Sequence, residues 1–247
     1  MDLERNISAR DSILGSIREH LVASAPHDGV HAEGSEEIVT HLEMTISQPN
    51  GAALSLVEIF KDNLEAVGGH CIVARSEPEV IAALRDIIRG LLMTPLRARR
   101  IALSNAPTLE PLIRQTEIDV DEIAVCPSTA ELFDYDVGVS TAQAAIAETG
   151  TLVLDSESEK HRLVSLVPPV HIAIIEATSI CLTLGEALAA VRRGESGEVS
   201  PTITFITGPS RTADIELTLA IGVHGPQELY VVVKEGLQLT DKQACTV

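Results

Sequence analysis

Residues 202–216 combine the side chains and the pattern that would bind an anion. The stretch reads TITFITGPSRTADIE; it predicts a strand that breaks at Gly208-Pro209 and continues as a helix to Leu219. Backbone N–H groups at a helix start, together with the guanidinium of Arg211, are typical of a phosphate or carboxylate site, and in open parallel sheets ligands bind beyond such strands. The alternative is an ordinary helix start with an exposed arginine. The ligand-binding residues predicted in this turn are Gly208, Ser210, Arg211, Thr212 and Asp214.

A second group of reactive side chains lies in the stretch Glu148-Thr149-Gly150-Thr151, between a predicted alanine-rich helix over residues 138–147 and a predicted strand. A carboxylate at such a junction could be a general base or a nucleophile, so Glu148 is a candidate catalytic residue. Gly150 would let a ligand approach the backbone, and Thr149 and Thr151 would donate hydrogen bonds. Alternatively, Glu148 pairs with a nearby arginine and the hydroxyls cap the backbone.

Two histidines close to predicted turns could supply an acid/base pair. His224 lies in the segment GVHGP, and His171 begins an apolar strand. His224 is the stronger catalytic candidate because glycines flank it, whereas His171 could be an ordinary strand histidine. The histidines of residues 24–50 are too loosely spaced to predict a metal site, and none is expected.

The net charge, the apolar runs and the cysteine pattern of the sequence disfavour several classes of protein. The formal net charge of −18 disfavours nucleic acid and anionic membranes as partners. The sequence shows neither an apolar run long enough to span a membrane nor a secretory signal, so a cytoplasmic location is expected. The four cysteines form no CxxC pair, and the glycine-rich nucleotide motifs are missing. We therefore expect no cofactor in this chain itself, and if electrons pass through its pathway, another chain or a bound cofactor must carry them.

Predicted helices and strands alternate from residue 53 onwards. This alternation indicates right-handed crossover connections and a parallel sheet. The predicted fold class is α/β, with a largely parallel sheet flanked by helices. We expect residues 1–50 to form an N-terminal helix and loop arm, and residues 51–247 to form the α/β domain.

Four motifs together resemble the LUD-domain family: GVSTAQAAIAETGTLVL, SLVPPVHIAII, ITGPSRTADIE and GVHGPQELYVVV. The resemblance implies the fold shared by NagB, RpiA and CoA transferases. It also implies a role in the oxidation of L-lactate to pyruvate, alongside partner proteins that carry iron–sulfur clusters.

Three functions remain open from the residues and the resemblance. The chain could be a subunit of a lactate-oxidising complex that binds a small anion at the 207–216 turn. It could be a stand-alone enzyme of the CoA-transferase or sugar-phosphate-isomerase type that uses Glu148. It could also be a non-catalytic module that binds a carboxylate or a phosphate.

Overall fold

The computed structural model describes residues 55–94, 98–192, 200–213, 219–221 and 225–236. The predicted arm of residues 1–50, with its loop histidines, lies outside these residues. Within the described part of the chain, none of the helices is both long enough and apolar enough to cross a membrane.

Six strands form a parallel sheet at the centre of the structure, in the spatial order β1–β12–β7–β4–β2–β3. Every neighbouring pair runs parallel, which confirms the predicted fold class. The strands are β1 (His70–Ala74), β2 (Arg100–Leu103), β3 (Glu122–Val125), β4 (Val137–Thr141), β7 (Val170–Glu176) and β12 (Glu228–Lys234).

The order of five of these strands is doubly wound. Counted from β2, the chain first steps outwards to β3 and then returns past β2 to β4, β7 and β12. The direction of winding therefore reverses between β2 and β4, and in open α/β sheets the crevice beyond the carboxyl ends of such a strand pair is the usual ligand site.

Local signals explain the helices well. Helix α1 (Leu56–Ala66) begins with a capping box between Ser55 and Glu58, and α2 (Glu77–Leu92) begins after Ser76, whose hydroxyl accepts from the backbone N–H of Glu79. The remaining helices are α3 (Leu109–Gln115) and α4 (Leu184–Arg192). Helices α2 and α3 cover one face of the parallel sheet, and the core between them includes Leu84, Ile88, Ile101, Val139 and Ile172.

An antiparallel sheet and α1 cover the opposite face. This sheet has the order β8–β5–β6–β9 and consists of β5 (Ala144–Ile146), β6 (Thr151–Asp155), β8 (Ile180–Cys181) and β9 (Ile203–Thr207), with β8 alone parallel to its neighbour. Side chains from the two sheets and α1 share a core that includes Phe60, Leu64, Leu152, Ile175 and Val231. The candidate segment of residues 148–151 leads from β5 into β6 of this sheet, and Gly208 directly follows β9.

The predicted helix over residues 138–147 is wrong. This segment forms β4 and then β5, and the two strands belong to different sheets. Gly138 lies inside the parallel sheet, between Ala102 of β2 and His171 of β7. The run of small residues is therefore buried between layers, a tertiary context that overrides the helix propensity of alanine.

The helix predicted after Gly208-Pro209 is wrong at both of its described ends, and residues 214–218 lie outside the described part of the chain. Arg211–Ala213 forms β10, which pairs antiparallel with β11 (Leu219–Ile221). The preceding strand β9 pairs antiparallel with β6 and does not join the parallel sheet. A parallel strand would need a crossover connection, usually a helix, but an antiparallel strand does not.

Candidate functional site

A cavity of about 460 Å³ lies beside the turn that follows β9. Its walls come from three of the four motifs singled out in the sequence, because residues 165–166, residues 205–210 and residues 225–226 all line it. His171 and Leu229, near the starts of β7 and β12, complete the wall. Segments distant in sequence thus meet at one concave surface, the ordinary form of a ligand site.

Two glycine turns shape this cavity. Gly208 has a φ of 74°, and a Cβ added there would lie 2.7 Å from the carbonyl oxygen of Val67. Gly225 has a φ of 89° and lies against the side chain of Ser210. The backbone N–H of Ser210 donates to Pro226 O at 2.7 Å, so the two turns are held together. Only glycine fits such a backbone and such an approach without strain.

His171 supplies the cavity with a polar group that is only partly satisfied. Its ring is completely buried, and Nε2 lies 2.9 Å from Ser140 Oγ. Among the described residues, no hydrogen-bond partner reaches Nδ1. Burial lowers the pKa of His171 to about 3, so the imidazole is neutral near neutral pH. Among the described residues that line the cavity, no side chain is charged.

Arg211 lies directly after the turn and is the cationic residue nearest in sequence to the cavity-lining residues 205–210. Its side chain is exposed, and its Nη2 donates to the carbonyl oxygen of Val67 at 2.6 Å, at the end of α1. None of the ion pairs between described residues involves Arg211. Within the described part of the chain, the guanidinium thus contacts a carbonyl oxygen and no carboxylate, and a strand takes the place of the helix that was predicted to begin here.

Glu148 occupies a different position from the one predicted. It lies in a short 3-10 turn between β5 and β6, and its Oε1 accepts from the backbone N–H of Leu184 at 3.3 Å. This contact caps the start of α4. No ion pair of the described chain joins Glu148 to Arg211. The carboxylate is exposed, and its contact with Leu184 N stabilises the start of a helix.

Gly150 serves the packing of α1. Its φ is 62°, and an added Cβ would lie 2.6 Å from the Cα of Leu64. Beside it, the side-chain amide of Asn63 donates to Ala147 O at 2.8 Å. The end of α1 therefore rests on the Glu148–Thr151 junction, and the space that a ligand was expected to use at Gly150 is occupied by the helix backbone.

A chain of hydroxyl groups connects that junction to the cavity. Thr149 Oγ1 lies 2.7 Å from Thr151 Oγ1, which in turn lies 2.7 Å from Thr207 Oγ1. Thr207 lines the cavity. The structure thus links Thr149 and Thr151 to Gly208 and Ser210, and leaves Glu148 on the side of α4.

The remaining predicted residues lie outside what the structure describes. Asp214 and His224 are not described, and only the backbone of Thr212 is. The described residues hold no group of three or more His, Cys, Asp or Glu side chains placed to bind a metal ion.

A buried carboxyl group at the opposite end of the sheet was not predicted from the sequence. Glu159 Oε1 accepts from Ser104 Oγ at 3.0 Å, from Thr141 N at 3.0 Å and from Thr141 Oγ1 at 2.5 Å, while no partner reaches its buried Oε2. Burial raises the pKa of Glu159, and the hydrogen bonds from Thr141 and Ser104 oppose the rise. Ser104 and Thr141 stand at the carboxyl ends of β2 and β4, where the winding reverses. Polar residues directly after apolar strands were the available signal.

Comparisons with known proteins agree with this architecture. The LUD domain profile matches residues 57–233. An uncharacterized protein of Neisseria meningitidis is 38% identical over 150 residues, which are 60% of this chain and 60% of that protein. Lactate utilization protein C of Bacillus licheniformis is 41% identical over 103 residues, which are 40% of this chain and 43% of that protein. The protein of the same name from Bacillus subtilis is 40% identical over 103 residues, with the same two shares.

A solved structure is also similar. The crystal structure of a DUF162 family protein from Deinococcus radiodurans matches with a TM-score of 0.52 and 26% identity, and the match covers 73% of this chain and 99% of that chain. In contrast, the match spans 60% of the length of the Neisseria relative and 43% of the length of the two Bacillus relatives.

Proposed function

The chain belongs to the LUD domain family, and we propose that it works in L-lactate utilization, the oxidation of L-lactate to pyruvate, as a component that acts with iron–sulfur partner proteins. The similarity to lactate utilization protein C carries the assignment of the pathway. In this proposal the clusters belong to the partners, and this chain contributes a binding site for a small carboxylate.

The turn from Thr207 to Arg211 supports the choice of ligand. A 2-hydroxy acid has a carboxylate, for which the guanidinium of Arg211 supplies charged donors besides the one bound to Val67 O, and a compact polar group that fits among hydroxyls. The hydroxyl groups of Thr207 and Ser210 border the cavity directly beside Arg211 in sequence. The observation that carries this part of the proposal is the exposed Arg211, which has no ion pair among the described residues and directly follows Ser210 of the cavity wall.

Ligand-induced stabilisation tests the site. The melting temperature of the full chain should rise with L-lactate or pyruvate, because a ligand that binds only the folded state stabilises it. Arg211→Ala should abolish this rise while the protein remains folded, since the bond to Val67 O is exposed and contributes about 1 kcal/mol. Arg211→Lys should retain part of the rise, because it keeps the charge but not the planar fork.

Arg89→Ala is the matched control, because it removes an exposed arginine from the last turn of α2 without touching the cavity. It should leave the ligand-induced rise unchanged. A rise of equal size in wild type and Arg211→Ala would refute the assignment of the carboxylate to Arg211. A response to sugar phosphates or CoA esters and to neither lactate nor pyruvate would replace the proposed ligand.

A reconstitution experiment tests the proposed partnership. Tagged chain should copurify with iron–sulfur proteins from cells grown on lactate, and lactate oxidation should require both fractions. The purified chain alone should oxidise no lactate. Robust turnover by the isolated chain would refute the role as a component of a larger system.

A further inference from the structure

We propose that His171 is the group in the cavity that binds the hydroxyl of a 2-hydroxy acid and the oxo group of the matching 2-oxo acid through its Nδ1 atom. This inference rests on the proposed function, because it takes the carboxylate to be held at Arg211. It assigns the other half of the ligand to a residue that the sequence alone ranked below His224.

The position of His171 requires a partner for Nδ1. The ring is fully buried, the residue forms part of the cavity wall, and Nδ1 has no hydrogen-bond partner among the described residues. An unsatisfied polar atom in a buried place is costly, and native proteins keep few of them. Because Nδ1 is covered in the free protein, the cavity wall must shift for a ligand to reach it, and a ligand hydroxyl or oxo group that reaches it removes this cost.

The bond to Ser140 lets Nδ1 change its role. A neutral imidazole has one donor and one acceptor nitrogen, and a serine hydroxyl can both donate and accept. When Nε2 donates to Ser140 Oγ, Nδ1 is an acceptor and matches the hydroxyl of a 2-hydroxy acid. When Ser140 Oγ donates to Nε2, Nδ1 carries the hydrogen and matches the oxo group of a 2-oxo acid.

The surroundings keep both arrangements uncharged. In the free protein no described side chain that lines the cavity is charged, and burial lowers the pKa of His171 to about 3, so the ring that meets the ligand is neutral. The site therefore accommodates both members of the redox pair by moving the hydrogen between the ring nitrogens and turning one hydroxyl. A cationic histidine would instead donate from both nitrogens and would favour the oxo acid alone.

Nitrogen NMR of the full chain, labelled at histidine, reads the tautomer directly. L-lactate should move the His171 signals towards the form with hydrogen on Nε2, and pyruvate should move them towards the form with hydrogen on Nδ1. This measurement needs no substitution of His171. Binding of pyruvate with hydrogen on Nε2, or binding of both acids with no change in the His171 signals, would overturn the inference, because an oxo group only accepts.

Substitutions give a second readout, measured as dissociation constants by calorimetry. His171→Phe keeps a ring and removes Nδ1, and it should weaken both acids about tenfold, the effect of losing one hydrogen bond to a buried group. His171→Asn places an amide near the position of Nδ1 and should recover part of the affinity, whereas His171→Gln, whose amide lies nearer to Nε2, should not. The control is His70→Phe, at an exposed histidine that stacks on Tyr230 away from the cavity.

The outcomes separate this inference from the proposed function. If Arg211→Ala abolishes binding and His171→Phe leaves both affinities unchanged, the carboxylate site stands and the role of His171 is refuted. If wild type binds neither acid, the proposed ligand fails and the inference fails with it. Loss of affinity in His171→Phe and recovery in His171→Asn, with tautomers that differ between the two acids, would establish the inference.

Discussion

Acid should destabilise this protein through His171, and the size of the effect follows from burial. The pKa of His171 is lowered to about 3 in the folded state from an ordinary value of 6.5, with burial as the cause. Between these two pKa values the ring of His171 is protonated in the unfolded chain and neutral in the folded protein. The resulting stability is fully present above the unfolded pKa of 6.5 and is lost as the pH falls towards 3.

The magnitude can be worked out at about pH 5. At this pH the ratio of protonated to neutral imidazole is roughly 30 for an ordinary histidine, whereas His171 stays neutral in the folded protein. A factor of 30 in the folding equilibrium corresponds to about 2 kcal/mol. Since whole domains are stabilised by only about 5–15 kcal/mol, this loss is measurable.

Urea unfolding of wild type and His171→Phe at about pH 7 and about pH 5 isolates the effect, because both proteins share every other titrating group. The free energy of unfolding of wild type should fall relative to that of the variant by about 2 kcal/mol between the two pH values. The same substitution at exposed His70 measures what a histidine-to-phenylalanine change does by itself. A wild-type stability that runs parallel to that of His171→Phe across this range would refute the argument that burial keeps the ring neutral.

Two further predictions concern a glycine in a close backbone contact and a buried carboxyl group. Gly150→Ala should lower the free energy of unfolding by about 3 kcal/mol or more, because φ is 62° and the added Cβ would meet the backbone of Leu64. Gly90→Ala, on α2 with nothing within 4 Å of the added atom, should instead raise it by about 0.5–1 kcal/mol, and similar changes at both glycines would contradict this account. Burial raises the pKa of Glu159 above 4.5, so its protonated form favours folding at low pH and this stability is lost as the pH rises through the raised value. Urea unfolding should therefore show Glu159→Gln gaining stability relative to wild type from about pH 5 to about pH 8, and a constant difference would oppose it.

The sequence predicted alternating helices and strands from residue 53 onwards, and the structure has them from α1 to β3. Helical periodicity and short apolar runs act over a few residues. Such signals are readable from sequence because the atoms that satisfy one another are neighbours in the chain. The alternation of these elements was enough to predict the parallel sheet.

The candidate site was only partly predictable. The sequence pointed to the segment around Gly208 and Ser210, which does line the cavity, and it included His171 as a weaker candidate. It could not reveal that Glu148 caps α4 or that the backbone of α1 rests on Gly150. These contacts join residues far apart in the chain, and their existence depends on which layers pack together.

The sequence by itself determined the helices and strands whose caps and periodicity are local, the parallel class of the central sheet and the family motifs. Only the tertiary structure decided that residues 138–147 are strands of two sheets, that Arg211 begins a strand and that the ring of His171 is buried with Nδ1 unpaired. The physical reason is that alanine, serine and threonine have weak backbone preferences of their own. Burial between layers, which involves partners distant in sequence, therefore decides their conformation and their chemistry.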